Sequence, residues 1–157
     1  MTETLPDDPV DRVEIVLDEV LEALDLDGEI VIDEEEDRIA ARIEGDDLGL
    51  LIGRRGQTID ALQMLCYRIA FRGAGERKRI SVDAAGYRER RRETIERQAD
   101  RAAERALETG REIELEPMSS VERKIVHDRL KDRPGLETFS EGEDPERCVI
   151  VAPLVGD

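Results

Sequence analysis

Two short groups of residues in this chain have types and spacing that could do chemistry. The first is Gly53-Arg54-Arg55-Gly56, followed by Gln57. Glycine accepts positive φ and leaves no Cβ in the path of an approaching group, so two of them let a backbone close on a phosphate. If a helix begins directly after the loop, its unpaired N–H groups and positive dipole end face the same point. Arg54 and Arg55 add guanidinium forks able to grip phosphate oxygens. A bare Gly-x-x-Gly equally fits a surface turn with two solvated arginines. The second group is Arg123 and His127, four positions apart and hence on one face of any helix that holds them. By itself this spacing arises by chance in many chains, and a lone histidine is usually a surface or packing residue.

The same residues argue against catalysis. A nucleotide-cradling P-loop needs a lysine after its last glycine, and Gly56 is followed by Gln57 and Thr58. Ser119 and Ser120 sit among acids, and His127 is the only imidazole, so a nucleophile with a base is hard to assemble. With one histidine and no CxxC, neither a zinc site nor any other cofactor is expected. Cys66 and Cys148 read as two packed thiols of a reducing compartment, although a disulfide between them is the other option.

The net charge of −16 seems hostile to a polyanion. Its distribution is uneven: residues 1–47 carry 19 acids and 3 bases, whereas residues 48–92 carry 11 bases and 4 acids. Local potential within a Debye length of ~8–10 Å decides where a phosphate settles. Aromatics are only 3%, so the core must be aliphatic. No apolar run approaches the ~20 residues of a membrane span, and no basic-then-apolar leader opens the chain, so a cytoplasmic protein is expected.

The elements that must position these groups follow from periodicity. Residues 1–8 read as a disordered tail and 155–157 as a second one. A helix runs from Pro9 through Val13, Val16, Leu17, Val20, Leu21 and Leu24. Strands are expected at 29–33 and 38–44, a helical turn at 47–52, a helix at 57–71 striped by Ile59, Leu62, Cys66 and Ile69, and a strand at 79–83. A long helix over 87–109 carries a narrow stripe of Ile95, Ala99, Ala102, Ala103, Ala106 and Leu107. Beyond Gly110 the pattern reads strand 112–116, helix 119–130, strand 136–140 and strand 148–152. The fold class is α+β. Residues 9–86 form an α-β-β-α-α-β unit, and residues 87–154 a connector helix plus a small α/β unit.

GLLIGRRGQTIDALQMLCYRIAFR resembles the KH segment of the Jag family, the SpoIIIJ-associated RNA-binding proteins, and α-β-β-α-α-β is the bacterial KH order. In a KH domain the Gly-x-x-Gly loop clamps about four nucleotides while bases lie in an apolar groove. Ile39, Ala41, Ile43, Ile59 and Leu62 are then candidates for the groove wall, or plain core residues. EPMSSVERKIVHDRL and ETFSEGEDPERCVIVAP resemble the family's second domain, the RxxxH domain, named for its Arg-x-x-x-His element. That likeness implies nucleic-acid contacts for Arg123 and His127. YRERRRE resembles its connector, where Arg88, Arg91 and Arg92 extend a basic track or form the solvated face of a helix. Many family members carry a further N-terminal Jag domain, and this chain is expected to be a short form without it.

The resemblance implies a single-stranded RNA binder and no enzyme: a post-transcriptional regulator or RNA chaperone linked to cell elongation or envelope control. It also implies a small KH-domain partner protein or a homodimer. A single-stranded DNA binder, and a protein-interaction adaptor whose basic loop binds acidic partners, stand as alternatives.

Overall fold

The computed structural model describes residues 4–155. The predicted tail positions 1–3 and 156–157 lie outside the described residues. The chain divides into two compact units between Arg88 and Glu89. The element order is the predicted one, mixed helix and strand throughout.

In the first unit, Asp8 caps helix α1 (Pro9–Ala23), its carboxylate accepting from the Val10 N–H at 2.7 Å. Strands β1 (Glu29–Glu34) and β2 (Arg38–Glu44) form an antiparallel pair in which Ile30 faces Ile43 and Ile32 faces Ala41. Strand β3 (Arg79–Ala84) runs parallel to β2, with Ile39 beside Ile80 and Ala41 beside Val82. A parallel pair needs a long crossover, and helices α2 (Gly49–Ile52) and α3 (Gln57–Ala70) supply it, with the glycine loop between them. Alternation on β2 sends Ile39, Ala41 and Ile43 inward against Val13, Leu17 and Ile59. All three are at most 2% exposed, and Ile59 and Leu62 are buried with them, so these five are core residues and not an open groove wall.

Arg12 joins α1 to α3. It donates to the carbonyls of Ile69 at 3.4 Å, Ala70 at 3.2 Å and Arg72 at 2.9 Å, and to that of Pro6. The last carbonyls of a helix have no partner within it, and this one side chain serves three at the α3 terminus. Ile69, expected in the buried stripe, lies on the flank beside Arg12 and is only partly buried, while Ala70 and Phe71 complete the stripe.

In the second unit, helix α4 (Tyr87–Thr109) crosses the boundary at its first turn. Strands β4 (Ile113–Glu114), β5 (Leu136–Glu141) and β6 (Cys148–Pro153) form an antiparallel sheet in the order β4-β6-β5. As the central strand, β6 is buried from Cys148 to Ala152, which explains its unbroken apolar run. Strand β4 is shorter than predicted, its pairing trailing off into single bonds from Leu115 N to Val149 O and from Met118 N to Arg147 O. Helix α5 (Ser120–Leu130) begins with a capping box of Ser119 and Glu122. The alanine stripe of α4 packs here with Val126 and Leu130. Leu107 falls at its edge, 46% exposed and near Gly135. Cys66 and Cys148 are both free and buried, and burial pushes the Cys66 thiol up to about 12.

Removing the guanidinium of Arg12 takes the side-chain donor from the Ala70 and Arg72 carbonyls, while Ile69 keeps the Arg72 N–H at 3.4 Å. Arg12→Ala should cost about 1–2 kcal/mol in urea-induced unfolding. An unchanged midpoint would mean that water replaces the side chain at no cost.

Candidate functional site

Leu48 and Leu51 anchor α2 in the core, and Ile59 and Leu62 anchor α3, so the loop between them is held from both sides. The Gly53 N–H closes α2 onto the Gly49 carbonyl at 2.9 Å, and the Gly56 N–H reaches the Gly53 carbonyl at 3.3 Å. Gly53 has φ +73° and Gly56 φ +76°, in the region that favours glycine. Space is equally decisive. A Cβ on Gly53 would lie 2.1 Å from Thr58 Oγ1, and one on Gly56 would lie 2.6 Å from Cε1 of the Tyr87 ring. Arg55 adopts the left-handed conformation between them (φ 54°, ψ 28°) and is half-buried. Arg54 and Gln57 are exposed. The loop is therefore a closed backbone turn that opens directly into α3, with an exposed arginine on its rim.

Farther along, Arg88 is bound inside the first unit. Its Nε donates to the Val82 carbonyl at 2.8 Å, and its terminal nitrogens reach Asp60 at 2.8 Å and Gln63 at 3.0 Å. Gln63 also accepts from the Val82 N–H at 2.9 Å. Together Arg88 and Gln63 cover the outer edge of β3 at Val82, a row of backbone groups that would otherwise lie open.

In the second unit, Arg91 pairs with Glu122 at 2.8 Å, both side chains less than a fifth exposed. Arg92 is exposed and bridges to Glu96 at 3.1 Å. Arg123 and His127 do share a face of α5, and that face points inward. Arg123 is 8% exposed and donates to the Met118 carbonyl at 2.7 Å and to Asp144 at 3.2 Å. His127 sits between two hydroxyls of β5, with Nδ1 2.7 Å from Thr138 Oγ1 and Nε2 3.1 Å from Ser140 Oγ. Burial, and then the positive charge of Arg123, hold its pKa below the usual value.

The expected residues thus separate into an exposed loop and a set of side chains engaged within each unit. Sequence reading missed Tyr87 as the neighbour that closes the loop, because only the folded turn brings its ring to Gly56. It also missed Gln63, whose contact with β3 has no motif. Among the described residues, no group of three or more histidines, cysteines and acids is placed to hold a metal ion. No described helix is long and apolar enough to cross a membrane.

Comparison with known proteins finds two family matches along the chain. Residues 10–83 match the KhpA/KhpB KH domain family, and residues 93–153 match the RxxxH domain family. The chain is 39% identical to the RNA-binding protein KhpB of Clostridium symbiosum, over 96% of this chain and 67% of that one. It is 35% identical to the RNA-binding protein KhpB of Bacillus subtilis (strain 168), over 92% of this chain and 71% of that one. The KhpB of Streptococcus pneumoniae serotype 2 is 30% identical over 84% of this chain and 40% of its own length. With a KH unit built around Gly53–Gly56 and an RxxxH unit built around Arg123 and His127, the chain belongs to the Jag (KhpB) family.

Proposed function

We propose that this chain binds single-stranded RNA without catalysis, and that the loop Gly53–Gly56 is its main phosphate-gripping element. One observation carries the reading: a turn with positive φ at both glycines opens straight into the first turn of α3 beside the exposed Arg54. Backbone N–H groups at a helix start suit the evenly spaced anions of a strand. The names of the curated relatives support RNA over DNA.

The remaining expected residues take holding roles in this reading. Arg88 fixes the start of α4 to the edge of β3, and Arg91 supports the capping box of α5 through Glu122. Arg123 holds the 141–147 turn through Asp144. Arg92 has exposed surface to offer a strand, in competition with Glu96. A small KH-domain partner or a homodimer, action in the cytoplasm, and a role as a post-transcriptional regulator or RNA chaperone linked to cell elongation or envelope control belong to the same proposal. They rest on the family resemblance.

Exposed loop charges usually change stability by less than ~0.5 kcal/mol. Arg54→Asp alone should leave the melting temperature nearly unchanged, and Arg54→Asp with Arg55→Asp should remove most affinity for an oligouridylate in fluorescence anisotropy. Parent-like binding by that variant would place the clamp elsewhere.

Purified chain should hydrolyse neither ATP nor GTP above a mock preparation. Turnover that follows the protein through chromatography and disappears in the loop variant would overturn binding without catalysis.

The lowered pKa of His127 also has a consequence. A histidine whose folded pKa lies below its ordinary value of 6.5 favours the neutral form when folded. Its contribution is complete above pH 6.5 and declines as acidification protonates the unfolded state more readily than the folded one. Unfolding free energy should fall with pH below that value, and His127→Gln should flatten this part of the profile. Identical profiles for the two proteins would show that His127 does not titrate differently on folding.

A further inference from the structure

Acids outnumber bases 40 to 24 in this chain, and most bases of the KH unit are engaged. Arg42 pairs with Asp33 and Glu44, Lys78 with Glu34, Arg79 with Asp37 and Arg88 with Asp60. Arg68, Arg72 and Arg77 are exposed and form no ion pair among the described residues. All three border one cleft of about 350 Å³ at the C-terminal end of α3, together with Met64, Tyr67 and Phe71. No acid lines it. Glu76, the one acid of the 71–78 segment, is exposed and outside the lining.

Two further features suit this cleft to a nucleotide. The C-terminal end of a helix normally repels anions, but Arg12 occupies the carbonyls of Ile69, Ala70 and Arg72 and offsets that field. Aromatic side chains are scarce, two Tyr and two Phe in all, and two of the four meet here. Tyr67 and Phe71 pack edge to face with centroids 5.4 Å apart, Phe71 as a buried floor and Tyr67 half-buried at the surface. Met64, 55% exposed, extends this apolar surface along α3 on the side of the glycine loop.

We infer that this cleft is a second nucleotide site of the KH unit, seating a base of the strand held by the loop against Tyr67 and Met64, with flanking phosphates on Arg68, Arg72 and Arg77. The inference rests on the RNA-binding reading above. Base stacking on aromatic groups and arginine contacts to phosphate are the usual means of holding a single strand. At ~1.5 Å per residue, α3 separates loop and cleft by roughly 20 Å. Four nucleotides clamped at the loop fall short of the cleft, and a longer strand reaches it.

The test uses the full chain with oligouridylates of four and about twelve nucleotides, a length chosen well beyond the ~4 that such a loop clamps. Tetranucleotide binding is read from amide shifts of Gly53 and Gly56, and binding of the longer strand from anisotropy over a salt series. Arg68→Gln with Arg72→Gln and Arg77→Gln should weaken the longer strand about tenfold or more and lower its salt slope by about 2, at ~0.7 per lost phosphate contact. Tetranucleotide binding and melting temperature should not move. A strand carrying 5-iodouridine should photocrosslink to Tyr67. If the triple variant binds the longer strand with parental affinity and salt slope, the second site is overturned while the loop reading stands. That outcome would also follow if the cleft serves an acidic protein segment. If instead the Arg54→Asp, Arg55→Asp variant keeps parental tetranucleotide shifts, the loop reading itself fails.

Discussion

The Gly53–Gly56 turn depends on how closely two neighbouring side chains approach its backbone. Thr58 fills the space that a side chain on Gly53 would need, and the Tyr87 ring fills the space beside Gly56. Two helices thereby meet one turn: α3 through its second residue and α4 through its first. Glycine is required on steric grounds at both positions, and the positive φ at each adds to the requirement. The surrounding fold holds this turn still. Leu48 and Leu51 fix its entry, Ile59 and Leu62 fix its exit, and the parallel β2–β3 pair forces the two helices to cross over the sheet where the turn is made.

Charge then decides what the turn can reach. A net charge of −16 makes the chain a poor general polyanion binder, so recognition depends on which bases the acids leave alone. Most arginines are used internally: Arg88 on Asp60, Arg91 on Glu122, Arg123 on Asp144, and Arg129 on Asp100 with bonds at 2.9 and 3.1 Å. The guanidinium of Arg129 holds the Asp100 carboxyl below the usual range, as expected of a close pair. An exposed pair such as this one contributes little to stability. The larger effect of all four pairs is to remove candidates from the surface that a phosphate can meet. In the KH unit this leaves Arg54 at one end of α3 and Arg68, Arg72 and Arg77 beyond its middle.

Much of this was legible in the sequence, because periodicity reports which face of an element is buried. The alternation of β2 and the alanine stripe of α4 both gave their elements directly. The glycine loop was legible as a pattern, and its helical neighbours were predicted, so its setting could be named in advance. What stayed hidden depends on side chains meeting across the fold. The sequence YRIAFR contains Tyr67 and Phe71 four residues apart with Arg68 and Arg72 beside them. That spacing predicts a shared helix face, but not that the 71–78 segment folds back to add Arg77. Basic density likewise could not tell a free arginine from a paired one, since Glu122, Asp60 and Asp144 are distant in sequence from the arginines they bind.

The Arg-x-x-x-His element shows how spacing and exposure carry different information. Four-residue spacing places Arg123 and His127 on one face of α5, and that face is turned toward β5 and the 141–147 turn. A neutral imidazole can donate through one nitrogen and accept through the other, which matches two hydroxyls that can each play either part. A protonated ring would have to donate to both, beside the positive charge of Arg123. The arrangement therefore favours the neutral ring, and a neutral ring brings no charge to a phosphate. In the proposed reading the pair sets the position of β5 and its following turn, and nucleic-acid contact in this unit falls to groups on their outer surfaces. In that reading the motif identifies the domain by the residues that hold its shape, and contact falls to neighbours whose identity the motif does not specify.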